Sequence, residues 1–327
     1  MEIALNSSHL SALPLRTVKK RVKRIFEIDL LRGILILLMV VDHIAYDIGI
    51  LAPSLFAMSG APQALQDLST WCYNYWFEAW RINLRYGVIA LFFILSGIST
   101  YLSRNSLKRG MLILGFGAII SSFSYLASMI FETDMFIFFG IISCLGLAMI
   151  IYSCFRQFII ITTGSKIIWR YVSLYLALLF IGVGYWMRIG AATRDIDAQN
   201  WWLLINGRLT SMIPSHRVVN GVFTPIRYGF GTKVDIILGR LWFGVDWAGL
   251  FPYLGYAFLG GFLGELLYSK KKSLLLYKSS PVATGVEKAL RPLTFIGSKT
   301  IYIYLFHQFV LALLTFIVFL IFGVPLK

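Results

Sequence analysis

Residues 24–46 read RIFEIDLLRGILILLMVVDHIAY, a run that starts at a cluster of positive charge and then becomes almost entirely apolar. Inside the run stand an arginine, Arg32, and a histidine, His43. Their separation of eleven residues corresponds to three helical turns plus about 20°, so the two side chains share one face, about 16.5 Å apart along the axis. Asp29 lies one turn before Arg32, and Asp47 lies one turn after His43. The stretch therefore predicts a membrane-spanning helix with an aligned polar stripe.

Ionisable side chains inside a membrane span are costly, so they normally face protein or a water-filled path and mark a functional site. Asp42 adds a further carboxylate directly before His43. The alternative is that these polar residues only pair with neighbouring helices. The alignment of Asp29, Arg32 and His43 along one stripe favours the functional interpretation.

The composition is that of a membrane protein with several spans. Of the 327 residues, 58% are hydrophobic and only 14% are charged, whereas soluble domains are usually about 25% charged. The formal net charge of +15 requires no nucleic-acid partner, because loops that face anionic lipid carry such an excess of Lys and Arg. The basic segment 1–24 therefore predicts a cytoplasmic N-terminus.

The pattern of hydropathy over residues 25–327 predicts one all-α domain. This domain is a polytopic transmembrane helix bundle of about seven spans, with a range of about seven to nine. A long outer segment at 188–246 interrupts the pattern, and a further pair of spans within 201–245 is left open. The aromatic-rich outer loop before the second span predicts an interfacial belt, with a sugar-stacking platform as the alternative. The expected spans are 29–51, 83–103, 110–131, 135–155, 167–187, 247–268 and 296–322.

Two features of the first span restrict the chemistry. A histidine exchanges a proton near neutral pH and a carboxylate can fix its tautomer, so His43 with Asp42 or Asp47 predicts proton transfer deep in the membrane. Arg32 lies nearer the inner mouth, and guanidinium groups bind phosphate through paired hydrogen bonds. Coenzyme A esters, with phosphates at one end and a thioester at the other, match this layout. Three inner-loop cations are candidates for the same phosphates, with topology determination as the alternative: Arg104, Lys108 and Arg109.

Other polar residues in the spans are candidates for lining the same cavity. Arg85 lies at the outer end of the second span, and His307 and Gln308 lie in the seventh. For His307 the alternative is a hydrogen-bonded core histidine. The sequence has no phosphate-loop, zinc-protease or serine-hydrolase motif, and we predict no metal site. A different class of function stays open, because a proton-coupled transporter or flippase of a small or lipid-linked glycan would use the same polar stripe as its substrate path.

The first span resembles the opening helix of the heparan-alpha-glucosaminide N-acetyltransferase catalytic-domain family, and of its small bacterial members in particular. The resemblance rests on Asp-Leu-Leu-Arg-Gly at 29–33 and Asp-His at 42–43. The ten residues between Arg32 and His43 are also similar to the motif of the related acyltransferase 3 family of membrane proteins. Further matching stretches follow in the expected order: LFFILSGIS at 91–99, FFGIISCLGLAMII at 138–151, DWAGLFPYLGYAFLGGFLG at 246–264 and IYIYLFHQ at 301–308.

The resemblance implies a membrane acyltransferase that moves an acetyl or other short acyl group from cytoplasmic acyl-CoA, such as acetyl-CoA, to an amino sugar or glycan on the outer side. His43 would be the general base or a transient acyl carrier, oriented by Asp42 or Asp47. Arg32, paired with Asp29, would hold coenzyme A or shape its path. The implied location is the bacterial cytoplasmic membrane, with membrane lipid as a partner and a homodimer left open.

Overall fold

The computed structural model describes residues 24–132, 135–192, 216–225, 227, 229–241, 243, 246–275 and 281–327. The chain begins with a long segment made of α1 (Phe26–Tyr46), a π-helix (Asp47–Leu51) and α2 (Ala52–Leu55). The other elements, in chain order, are a 3₁₀ turn (Met58–Gly60), α3 (Gln63–Phe77), α4 (Ala79–Leu102), α5 (Ser106–Ile130), α6 (Ile141–Thr163), α7 (Lys166–Ala192), β1 (His216–Val219), β2 (Val222–Pro225), α8 (Phe230–Leu238), α9 (Leu250–Leu267), α10 (Pro281–Ala289), α11 (Arg291–Ser298) and α12 (Thr300–Ile321).

Seven helical segments in the described part of the chain are long and apolar enough to cross a membrane. The expected helix bundle of about seven spans is therefore confirmed. The antiparallel hairpin of β1 and β2, with His216 opposite Pro225, is an addition that the sequence pattern did not indicate. The described residues of 201–245 hold this hairpin and the nine-residue α8, and neither is long enough to span; residues 201–215 lie outside the described part. The seven segments are Phe26–Leu55, Ala79–Leu102, Ser106–Ile130, Ile141–Thr163, Lys166–Met187, Leu250–Leu267 and Thr300–Ile321.

The outer region before the second long helix is mostly helical, where we expected a loop. Helix α3 buries Leu65, Ser69 and Cys72. Their spacing of four and three residues forms one helical stripe, which packs against the π-helix at Gly49. The other faces of α3 leave large aromatic side chains exposed, Trp71 and Tyr73 among them.

The last span also begins later than the expected residue 296. The chain forms the short helix α11, leaves helical geometry at Lys299 and starts α12 at Thr300. Gly33 of α1 lies against the backbone of Leu293, and Gly297 lies against the backbone of Asp29. This antiparallel packing of α11 on α1 holds the start of α12 beside the start of α1.

Close contacts between small residues fix the directions of the central helices. Gly97 of α4 lies against Gly260 of α9, and Ser173 of α7 donates to the carbonyl of Phe258. Phe93, earlier in α4, contacts Tyr253, earlier in α9, whereas Arg170, near the start of α7, pairs with Glu265 near the end of α9. Helix α9 therefore runs parallel to α4 and antiparallel to α7, and it contacts both. We call the end of the bundle that holds Arg24, the α4–α5 and α6–α7 connections and the end of α9 the inner face, and the opposite end the outer face.

We expect Gly97→Ala to destabilise the bundle, because the added Cβ would collide with the carbonyl of Ala257. Overpacking of this kind costs about 1–3 kcal/mol. Gly87 lies in the same helix with open space around its Cα, so Gly87→Ala is the matched control and should gain up to about 1 kcal/mol in helix propensity. Unfolding in detergent measures both, and equal stability of the two variants would contradict this packing.

Candidate functional site

Two histidines from different spans meet in the bundle. The ring centroids of His43 in α1 and His307 in α12 lie 4.7 Å apart, with the rings nearly perpendicular. Both residues are partly buried. Helices α1 and α12 run in the same direction, since Phe56 farther along the first segment contacts Phe316 farther along α12. The two spans thus bring a pair of imidazoles together at one point.

Each imidazole is oriented by a backbone carbonyl of its own helix. Nδ1 of His43 lies 2.8 Å from the oxygen of Met39, and Nδ1 of His307 lies 2.7 Å from the oxygen of Tyr304. A carbonyl only accepts, so Nδ1 carries the proton and Nε2 of each ring is the basic nitrogen. Nε2 of His307 is buried with no hydrogen-bond partner among the described residues. The backbone oxygen of Met39 thus binds the Nδ1 atom of His43, for which we expected an aspartate as the partner.

The two aspartates near His43 bond elsewhere. Asp42 forms a two-point ion pair with Arg81, with Nε of Arg81 2.6 Å from Oδ1, and it also accepts from the hydroxyl of Tyr75 at 3.2 Å. Asp47 is fully buried at the start of the π-helix and accepts from Nε2 of Gln308 at 2.6 Å. Neither carboxylate has a hydrogen bond to His43 within the described residues. That these aspartates orient His43 stays a prediction, and they would have to act on it through neighbouring residues.

Arg81 and Tyr75 complete this outer network. The guanidinium of Arg81 lies 3.5 Å from the ring centroid of Trp76 and is almost entirely buried. Burial raises the pKa of the Tyr75 hydroxyl, and the Asp42 carboxylate raises it further, so Tyr75 remains a proton donor. Sequence reasoning did not single out Arg81; an arginine among aromatic residues just before an apolar run was the signal.

Arg32 lies toward the inner face on the same helix as His43. Its Nη1 is 3.5 Å from Asp29, and it donates to the hydroxyl of Ser99 in α4. Arg24 approaches Asp29 from the other side at 3.9 Å. The arginine is therefore fixed between two elements, with Asp29 as its counter-ion.

The three inner-loop cations lie at the inner face, and Arg109 is the one whose charge acts on Arg32. Arg104, Lys108 and Arg109 are exposed around the start of α5, where Asn105 caps the helix by accepting from the backbone N–H of Lys108 at 3.2 Å. The charge of Arg109 reaches Arg32 electrostatically. We call these three exposed cations the basic rim of the inner face.

Asp246 is a site residue that sequence reasoning missed. It accepts from the hydroxyl of Tyr304 at 3.1 Å. Tyr304 lies one helical turn before His307 in α12. Burial raises the pKa of the Asp246 carboxyl to about 6, although the charge of Arg85 and the Tyr304 hydroxyl both act to lower it. Arg85 also acts on His43, so its charge reaches both His43 and Asp246. An acid at the head of the apolar run of α9 was the available signal.

No group of three or more His, Cys, Asp or Glu side chains in the described part of the chain could hold a metal ion.

Comparison with known proteins gives one family. The model of the heparan-alpha-glucosaminide N-acetyltransferase catalytic region matches residues 24–206 and 232–309. No curated protein and no solved structure matches the chain significantly.

Proposed function

Because the chain belongs to the heparan-alpha-glucosaminide N-acetyltransferase catalytic family, a family of membrane acetyltransferases, we propose a specific activity. The protein transfers an acetyl or other short acyl group from acyl-CoA at the inner face to an amino sugar or glycan at the outer face. The observation that carries this proposal is the pair of half-buried imidazoles with basic Nε2 atoms, one of which, His43, lies on the same helix as Arg32.

We take the inner face to be cytoplasmic. The exposed cations that follow α4 and α9 support this orientation, because Lys and Arg concentrate in cytoplasmic loops. These residues are Arg104, Lys108, Arg109, Lys270, Lys271 and Lys272. The acyl-CoA would then meet the basic rim from the side of the cell where it is made, in the bacterial cytoplasmic membrane.

His43 acts as the base in this proposal. Its Nε2 takes a proton from the acceptor amine or hydroxyl, and the freed electron pair forms the new bond to the thioester carbonyl. The tetrahedral intermediate collapses by breaking the C–S bond, and the coenzyme A thiolate takes up the proton. In the alternative, Nε2 of His43 attacks the thioester first and carries the acyl group to the acceptor. The positive charge of Arg85 lies within electrostatic reach of His43 in either case.

The test of the function is transfer itself. Purified protein in lipid nanodiscs, supplied with radiolabelled acetyl-CoA and a panel of amino sugars, should produce labelled N-acetyl sugar and free coenzyme A in equal amounts. Uptake of sugar into proteoliposomes that is driven by a pH gradient, without acyl turnover, would instead establish the transporter.

We expect Arg32→Gln to raise the KM for acetyl-CoA by about tenfold, which is the loss of one charge-assisted hydrogen bond. Its kcat should change less, because the arginine lies about three turns from His43. Lys270→Gln removes one exposed charge from the same face and serves as the control. An unchanged KM in Arg32→Gln would separate this arginine from donor binding.

A further inference from the structure

A second buried polar group lies at the inner ends of four helices, apart from the two histidines. We call it the inner cluster. The residues act on one another electrostatically or through ring contacts. Its members are Tyr101 of α4, Tyr152 and Arg156 of α6, Trp169 and Arg170 of α7, and Glu265 of α9.

Three hydrogen-bond donors of the inner cluster have no acceptor among the described residues. They are the hydroxyl of Tyr152, Nε of Arg156 and Nε1 of Trp169. Tyr152 and Trp169 are each only 1% exposed, with their ring centroids 5.3 Å apart. Even if Trp169 turned to donate to the oxygen of Tyr152, the Tyr152 proton and Arg156 Nε–H would still lack acceptors. Buried donors without partners are costly, so a bound group rich in acceptors would stabilise this cluster.

The inner cluster also carries more positive than negative charge. Arg170 donates from Nε and Nη2 to one oxygen of Glu265, both at 3.3 Å. Arg156 has no ion pair within the described part of the chain, and its guanidinium carbon lies 6.0 Å from the ring centroid of Tyr101. The inner cluster thus holds two arginines and one carboxylate, and that carboxylate pairs with Arg170 alone. The group that would complete the cluster is therefore an anion with several acceptor oxygens.

We propose that the inner cluster binds a phosphate group. A phosphoryl group offers several acceptor oxygens and negative charge, which match both the unpartnered donors and the unpaired guanidinium. Arg156 and Arg170 are partly exposed at the inner face, so the phosphate would enter from there, with Tyr152 and Trp169 at the bottom of the site. The phosphate belongs either to an anionic phospholipid headgroup or to a free nucleotide such as coenzyme A. The proposal does not depend on the acyltransferase activity.

The two sources are separated by two binding measurements on the full-length protein. Adenosine 3′,5′-bisphosphate, which carries phosphates but no thioester, is titrated calorimetrically into protein in neutral detergent. Retention of phosphatidylglycerol against phosphatidylcholine is measured by native mass spectrometry. Nucleotide binding that Tyr152→Phe weakens assigns the site to a free phosphate, and selective retention of phosphatidylglycerol that Tyr152→Phe weakens assigns it to lipid. Failure of both probes to bind at millimolar concentration would overturn the proposal.

Tyr152→Phe is the decisive variant, because it removes one buried hydroxyl and no charge. We expect its affinity for the bound probe to fall about tenfold, whereas the free protein should be as stable as before or more stable, since an unpartnered donor is gone. Arg156→Gln should lose at least as much affinity. Lys166→Gln removes an exposed charge at the start of α7 and should change affinity less than about threefold. Equal binding by Tyr152→Phe and the unaltered protein would show that the donors do not hold phosphate.

Discussion

His43→Gln should lower kcat for acetyl transfer by about 10²–10⁴-fold, the usual contribution of a general base. Glutamine keeps a polar side chain of similar reach but cannot take a proton. Because Arg32 and the basic rim are untouched, binding of acetyl-CoA should change little, and the loss should appear in kcat. Steady-state rates and calorimetric binding of acetyl-CoA measure the two effects separately.

His216→Gln, a change of the same kind in the hairpin strand β1, is the matched control and should leave the rate unchanged. A second comparison uses the partner imidazole, since His307→Gln removes the ring that touches His43 but leaves the proposed base in place. We expect an intermediate loss there. Full transfer by His43→Gln would remove the proposed mechanism, whatever happens in His307→Gln.

The single-helix part of this site could be predicted from the sequence. Arg32 and His43 share a face because helical periodicity fixes their relation without knowledge of any other span. The pairing of Asp29 with Arg32 follows for the same reason, since the two are three residues apart. Hydropathy likewise gives the long helices, because each must satisfy its own backbone inside lipid.

Contacts between spans could not be predicted in the same way. Asp42 and Arg81 are 39 residues apart in the chain, and Asp47 and Gln308 are 261 apart. Which spans become neighbours depends on packing of small residues such as Gly97 and on the order of helices in the bundle. The sequence also offered two aspartates as partners for His43. It gave no sign that the carbonyl of Met39, one turn earlier in the same helix, would occupy Nδ1 first.

The Asp42–Arg81 pair should matter most for stability. Arg81→Met would leave the carboxylate of Asp42 without its partner in a partly buried site, and breaking one side of a buried pair costs about 3–5 kcal/mol. Arg81 also lies over the ring of Trp76 and donates to its carbonyl at 3.3 Å, so the change loosens the connection between α3 and α4. We expect a matching drop in the free energy of unfolding in detergent, and reduced transfer because Asp42 adjoins His43.

The pair Asp235–Arg240 provides the control, with a similar distance of 3.0 Å but side chains 32% and 35% exposed. Arg240→Met should cost less than about 1 kcal/mol, because solvent screens an exposed pair. The double variant Asp42→Asn with Arg81→Met should lose less free energy of unfolding than the two single variants lose together, since it leaves no unpaired charge behind. Equal costs for Arg81→Met and Arg240→Met would mean that burial adds nothing to the Asp42–Arg81 pair, and that some other contact holds α1 against the start of α4.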